Sequence, residues 1–298
     1  MISPKLVSID GDKKGTGWIQ QPPDPRDYSA RDEIFTLAHD GVFSDEKLKR
    51  IDDLPGSISL VDCFSPVEDQ GNLGSCTAQA VAGIVEYFEI KAFQQYINLS
   101  RLFLYKVTRN LLGETGDTGA FLRTTIGSMA LFGAPPEEFW PYKENQFDVE
   151  PTPFLYGLAD NFEAIRYVSH DKGLAPAETI LQIKMYLAAG IPTACGFYGY
   201  DTFNSWINPG EIPYPGPNES PRFGHAIVLA GYDDDKVIKN KSTGVSTVGA
   251  FRVRNSWGLN WGDRGYGWIP YRYAETKLQT DHWSILSLKW LDTGQFFY

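Results

Sequence analysis

The sequence predicts an α+β protein in which a helical first half packs on a strand-rich second half, with a cleft between them. Two observations carry this expectation. A long run with apolar positions at helical spacing follows Cys76, and further helical stretches continue to residue 132. From Thr193 onward the chain instead offers short β-branched and aromatic runs separated by turn residues. Helices first and strands later imply two packed layers with a groove at their boundary.

The helix after Cys76 rests on Val81, Ile84, Val85 and Phe88, with Glu86 and Glu89 between them. Ser75 is the expected N-cap, which puts Cys76 in the first turn, where unpaired N–H groups and the helix dipole favour a thiolate. A second helix is expected from Ser100 to about Thr108 and a third over Leu122–Phe132. A Gly/Asp/Thr loop, Gly113 to Ala120, joins them, and Pro135-Pro136 breaks the chain after the third. One more helix is expected at Ala177–Ala189. The strands are Thr193–Tyr198, Ala226–Ala230, Gly249–Arg254, Tyr266–Ile269 and Ser284–Leu288. Asn208–Pro221, rich in Pro and Gly, has the character of a long surface loop, and Asp233–Asp235 that of a solvated turn after a strand.

Residues 1–55 differ from the main body, 56–298. Gly15-Thr16-Gly17-Trp18 and Pro22 to Tyr28 are turn and extended signals, and Ser44 to Arg50 suits one short charged helix. Trp18, Ile19, Tyr28, Ile34, Phe35, Leu37, Val42 and Phe43 give this arm more apolar surface than a solvated tail carries. Two placements follow: docking on the outside of one half, or lying over the cleft and limiting access to Cys76.

At 298 residues the chain can bury a full core. Its net charge of -10 argues against a nucleic-acid or anionic-membrane surface, because either needs a basic patch. No apolar run reaches the roughly 18 residues of a membrane span. Met1 to Trp18 lacks the apolar core of a signal peptide, which points to the cytosol or to export by another route. Cys63 and Cys195 are expected as two buried thiols, although a disulfide between them stays open at this level.

A cysteine nucleophile needs a base and an oxyanion site. Of the four histidines, His39, His170 and His282 have the settings of ordinary surface or half-buried residues. His225 opens the apolar run Ala226–Ala230, so a rigid strand start would present it across the cleft. The block Asn255-Ser256-Trp257-Gly258 could supply a carboxamide oxygen to orient it. Zinc-type His-Glu-x-x-His pairs, Cys-x-x-Cys pairs and phosphate-cradling glycine loops are all missing from the sequence.

These blocks resemble the papain-like cysteine peptidases. Gln70-Gly71 through Cys76 is similar to the family's glutamine and nucleophile segment, and Gly224-His225-Ala226 followed by Gly231-Tyr232 to its histidine strand. Asn255-Ser256-Trp257-Gly258 with Trp261-Gly262 and Gly265-Tyr266-Gly267 is similar to its asparagine block. Gly116 to Ala120 and Trp140-Pro141-Tyr142 are a weaker likeness. The resemblance implies the papain-like two-lobed fold and hydrolysis of peptide bonds in peptide or protein substrates through a thiolate–imidazolium pair and an acyl-enzyme, with no cofactor and no metal. It leaves deamidation, isopeptide cleavage or an idle binding role as alternatives. It implies Cys76 as nucleophile, His225 as base and then acid, and Asn255 as the residue orienting it. Gln70 with the Cys76 N–H would form the oxyanion hole. Gly119 and Ala120 would bind the substrate backbone, Trp257 would shield the His225–Asn255 contact, and Trp261 would line the leaving-group side.

The sequence departs from the family pattern at Leu73, where many members have a disulfide cysteine, and at Thr77, where an aromatic is usual. Gly224 stands where an acidic or polar residue is common, and Ala120 at the second glycine of the substrate loop. The signature places the histidine and asparagine about 130–150 residues after the cysteine. Asn255 overshoots that window, and Asn208–Pro221 is the candidate for the inserted length.

Overall fold

The computed structural model describes residues 5–9, 11–22, 24–29, 54–160, 164–204 and 206–288. The proposed short helix at Ser44 to Arg50, His39 and the apolar residues Ile34 to Phe43 lie outside them.

The helical half contains α1 (Cys76–Phe93), α2 (Arg101–Leu112), α3 (Leu122–Phe132) and the short α4 (Pro153–Ala159). Ser100 caps α2 by accepting from Phe103 N at 3.2 Å, and Gly113 closes it in the left-handed region at φ 70°. The sheet half contains β4 (Ala164–Ser169), α5 (Pro176–Ala188), β5 (Thr193–Gly199), β6 (Phe223–Lys239), β7 (Ser246–Arg254), β8 (Tyr266–Pro270), α6 (Tyr271–Glu275) and β9 (Gln279–Leu288). The strands form an antiparallel sheet in the order β4-β9-β5-β6-β7-β8, and β3 (Ser57–Ser59) adds to β6. One core lies between α1 and the face of β6 that carries Ala226, Val228 and Ala230. A second fills the other side of the sheet around Phe197, Leu229, Phe251 and Trp257. Among the described residues, no helix is long and apolar enough to cross a membrane.

The arm begins as a hairpin, β1 (Lys5–Ile9) and β2 (Asp12–Thr16), paired from Lys5↔Thr16 to Ile9↔Asp12. Alternation within Lys5–Ile9 is too weak to announce it, since Lys5, Leu6 and Ser8 are all exposed.

Four sequence expectations change. Glu86 and Glu89 are not on a solvent face: α1 is buried nearly all round, and both carboxylates are inside. Glu86 is compensated by Arg101 at 2.8 and 2.7 Å, by Leu99 N at 3.0 Å and by Ser65 Oγ. Glu89 accepts from Ile97 N at 2.7 Å, and burial pushes its carboxyl up to about 7. Within Asn208–Pro221, Gly210–Pro213 is buried: Ile212 N donates to Trp268 O at 2.8 Å and Trp268 N to Gly210 O at 2.9 Å, so this stretch packs along β8. Asp233–Asp235 lies inside the 17-residue β6 at an irregular register. Asp234 is tied there to Lys184 and to Tyr271 Oη, each at 2.8 Å. His170 and His282 are buried, for reasons given with the site.

Ser65 also receives Arg254 Nη2, at 3.2 Å on Oγ and 3.3 Å on its carbonyl, and Pro66 O accepts from the same nitrogen at 2.8 Å. Glu86, Arg101, Ser65 and Arg254 thus form one buried polar cluster from α1 to the end of β7. Replacing Arg101 by Met leaves the Glu86 charge buried without its ion pair. Urea unfolding should show a loss of about 3–5 kcal/mol, and Glu86→Leu combined with Arg101→Met should lose clearly less than the two single changes added.

Candidate active site

Cys76 is the first residue of α1, fully buried. Ser75 does not cap the helix with its side chain. Its Oγ pairs with Tyr142 Oη at 2.6 Å, and Tyr142 Oη donates to Gln70 O at 2.9 Å, so a tyrosine braces the helix entry from outside. Gly71 turns the chain at φ 58°, a conformation glycine adopts without strain. Asp117 accepts from Gly74 N at 2.9 Å and from Tyr105 Oη at 2.5 Å, which holds the loop leading to Ala120 against the cysteine loop.

On the opposite wall His225 is the third residue of β6, paired with Phe197 of β5. Its Nε2 lies 2.7 Å from Asn255 Oδ1. Ser256 N donates to the same oxygen at 2.8 Å, which fixes the carboxamide orientation and makes Nε2 the donor. In the neutral ring Nδ1 then carries the free lone pair, and it is buried without a hydrogen-bond partner among the described residues. Trp257 stacks on the imidazole, centroids 4.4 Å apart and planes 25° apart, and covers the His225–Asn255 contact. Gln70 is also fully buried. Its backbone N donates to Ser256 O at 2.9 Å, Ser256 Oγ donates to its Oε1, and its Nε2 donates to Leu73 O at 2.7 Å. The amide therefore has one N–H committed and one free.

The arm runs through the cleft. Gly15 N donates to Gly71 O at 2.8 Å, Trp257 Nε1 to Gly15 O at 3.3 Å, and Lys14 pairs with Asp69 at 2.5 Å. Ala120 N donates to Gly17 O at 2.9 Å and Ile19 N to Ala120 O at 3.2 Å, a parallel pairing. Trp18 N donates to Gly224 O at 3.2 Å on the other wall. A side chain at Gly15 or Gly17 would run into the backbone of Leu73 or Gly74, so only glycine permits this approach. The second-glycine position therefore pairs with a peptide despite carrying the methyl group of Ala120. The arm continues to Tyr28 O, which accepts from Ser169 N at 2.8 Å.

This cover governs the electrostatics. Burial pushes the Cys76 thiol up to about 11, against the pull of the backbone N–H groups of Ala226, Gly17, Thr77 and Trp18. Burial likewise lowers His225 to about 4, opposed by Asn255. The helix-start effect expected from the sequence is present but smaller than desolvation, so with the arm in place both groups are neutral near pH 7.

Of the remaining expected residues, Gly119 and Ala120 lie on the helical wall facing the arm. Trp261 lines a cleft of about 430 Å³ with Trp257, Asp69 and the arm residues Ile9 and Lys14. Cys63 and Cys195 are free thiols and do not pair. Cys195 is buried and receives Gln279 Nε2 at 3.0 Å, while Cys63 is half-exposed. His170 packs against Tyr186 with its Nε2 3.0 Å from Ser284 Oγ, and His282 Nδ1 lies 2.6 Å from Asp171, so both are interior residues, each with one ring nitrogen paired. The residues that local pattern missed are Trp18, which fills a pocket beside the cysteine, and Asp281 at the end of that pocket. Asp281 sits far along the chain in an unremarkable strand sequence, and only the fold brings it there.

A cysteine heading a buried helix, with a histidine held by an asparagine just past the end of the neighbouring strand, is an arrangement suited to acyl transfer through a thiol. The chain belongs to the papain family of cysteine proteases, whose family model matches residues 57–284. It is therefore a cysteine-type peptidase. It is 32% identical over 281 residues to an uncharacterized peptidase C1-like protein of Acanthamoeba polyphaga mimivirus, covering 90% of this chain and 86% of that one. The crystal structure of xylellain, a cysteine protease from Xylella fastidiosa, superposes with a TM-score of 0.73 at 31% identity, over 93% of this chain and 97% of that one. Cathepsin K of Gallus gallus is 24% identical over 219 residues, 71% of this chain and 57% of its own length.

The pH dependence of alkylation reads the cover directly. In the intact chain, iodoacetamide should modify Cys76 at a rate that climbs only toward pH 11. In Trp18→Ala, water reaches the thiolate and the midpoint should fall by at least about one pH unit. A midpoint already near an ordinary thiol in the intact chain would contradict the desolvated site.

Proposed function

We propose that the chain is a latent peptidase, with Cys76 attacking the scissile carbonyl and residues 14–21 of its own arm holding the site closed. The observation that carries this reading is the extended backbone of Gly17 to Ile19, hydrogen-bonded to Ala120 on one wall and Gly224 on the other, directly over Cys76. A cleft that binds a peptide main chain from both sides is built for a peptide substrate and excludes one while it is filled.

With the arm displaced, desolvation is relieved and the thiol can pass its proton to His225 Nδ1. The thiolate then adds to the carbonyl carbon. The free Gln70 Nε2–H and the Cys76 N–H at the head of α1 receive the oxyanion. His225, held by Asn255, returns the proton to the leaving amine, and the acyl-enzyme is hydrolysed by water with the histidine again as base.

Kinetics on a fluorogenic peptide, with all changes made in the Trp18→Ala background, test these roles. His225→Ala should lower kcat/KM by on the order of 10⁴-fold or more and Asn255→Ala by less, with the double change scarcely worse than His225→Ala. Cys76→Ala should abolish turnover, while Cys63→Ala should keep it. Turnover surviving Cys76→Ala would overturn the assignment. The latency reading predicts that the Trp18→Ala parent turns over at least about tenfold faster than the unaltered chain; equal rates would refute it.

A further inference from the structure

Behind the loop from Gly113 to Ala120 lies one face of α2, and two of its side chains hold the loop from within. Tyr105 and Arg109, four residues apart, are both fully buried, with the guanidinium 4.3 Å from the centre of the tyrosine ring. Arg109 Nη1 donates to Gly116 O and to Asp148 Oδ1, and Asp148 Oδ2 accepts from Gly116 N at 2.8 Å, which fixes the start of the loop. Tyr105 fixes its end. Its Oη donates to Asp117 Oδ1 at 2.5 Å and accepts from Gly119 N at 3.0 Å. Burial, and then the Asp117 charge, push the phenol well above its ordinary range, so the hydroxyl keeps its proton and both bonds keep their sense. Asp117 passes the restraint on, since its Oδ1 also accepts from Gly74 N at 2.9 Å, two residues before Cys76. Leu73 offers no thiol for a disulfide here, so this tie between the two loops is noncovalent.

The joint that remains is Gly119, at φ 74°, a conformation open to glycine without strain. With Gly119 N pinned, the next peptide plane, which carries the Ala120 N–H, takes its orientation from the hold of Tyr105. Ala120 N and O are the donor and acceptor that the arm uses, on Gly17 O and Ile19 N. We propose that Tyr105 is a positioning residue for peptide substrates. Through Gly119 its hydroxyl aims the Ala120 N–H and C=O at the substrate main chain, and through Asp117 it keeps them in register with Cys76. It touches no reacting atom. Its contribution is to have donor and acceptor in place before the peptide arrives. An Ala120 left unfixed has to be ordered by each substrate, which raises KM and leaves the proton transfers between Cys76 and His225 alone. This inference rests on the peptidase reading above.

The test compares Tyr105→Phe, which keeps the ring and removes only the hydroxyl, with its parent, both in the full chain carrying Trp18→Ala. On a fluorogenic peptide KM should rise at least about fivefold while kcat stays within about twofold. In a substrate series with each backbone N–H in turn replaced by an ester oxygen, one member should lose this sensitivity, because it no longer uses Ala120 O. Asp117→Ala should match Tyr105→Phe, and the two together should be scarcely worse than either. An unchanged KM, a loss confined to kcat, or full additivity with Asp117→Ala would overturn the positioning role and leave the peptidase reading intact. Reaction of Cys76 with iodoacetamide in a parent that turns over no peptide would overturn both. A second measurement needs no turnover. In the intact chain the arm stands on the same two groups, so Tyr105→Phe should speed amide hydrogen exchange at Ala120 and Ile19 at least about tenfold relative to Leu104 and Thr125. Unchanged exchange, or equal acceleration at all four amides, would count against the proposal even if the Trp18→Ala chain fails to fold.

Discussion

The buried Glu86 carboxylate is the joint on which the two halves are registered. It sits on α1, whose first residue is Cys76, and is satisfied by Arg101 from the start of α2 and by Ser65 from the segment leading to the cysteine loop. Ser65 in turn receives Arg254, the last residue of β7, immediately before Asn255. Gly83 makes room for that arginine, since a side chain there would meet its guanidinium. A buried charged cluster of this kind is costly when a partner is removed, and it therefore tolerates few alternative arrangements. Its geometric effect is to fix the helix that begins at Cys76 against the strand end that leads into Asn255.

Around that joint the site is supported by groups that do no chemistry. Tyr142 substitutes for a helix cap, Ser256 fixes both the Gln70 and the Asn255 amides, and Trp257 covers the imidazole while donating to the arm. The same burial that organises these groups favours the neutral thiol at Cys76 and the neutral imidazole at His225. In the proposed latent state, covering and disarming are one physical act, because the indole and backbone lying in the cleft also exclude water from the thiol.

The sequence made the candidate site residues legible because their local chemistry is unusual: a thiol after a glycine turn, a histidine opening an apolar strand, an asparagine before a tryptophan. The helix Leu122–Phe132 was equally readable, bounded by the Gly113 to Ala120 loop and by Pro135-Pro136. Elsewhere tertiary packing overrode pattern. Glu86 and Glu89 look like solvent-facing breaks in an apolar stripe and are interior, because Arg101 and the Ile97 amide compensate them. His170 and His282 have the local settings of surface or half-buried residues and are fully buried, because Asp171, Ser284 and Tyr186 meet them. The course of the arm was beyond local reading altogether. Gly15 and Gly17 have the composition of a loose turn, and only the facing backbone of Leu73 and Gly74 shows why nothing larger fits. Trp18 was visible as a hydrophobe without a home, and its home is formed by strands nearly the whole chain away.

Trp18 also has a consequence for assembly. Its segment bonds to Ala120 in the helical half and to Gly224 in the sheet half, and its ring enters a pocket walled by β5, β6 and β9. None of these surfaces forms the seat alone. The arm's seat is therefore complete only where the Ala120 loop, β5, β6 and β9 are brought together, so a docked arm reports that these pieces of both halves are in place.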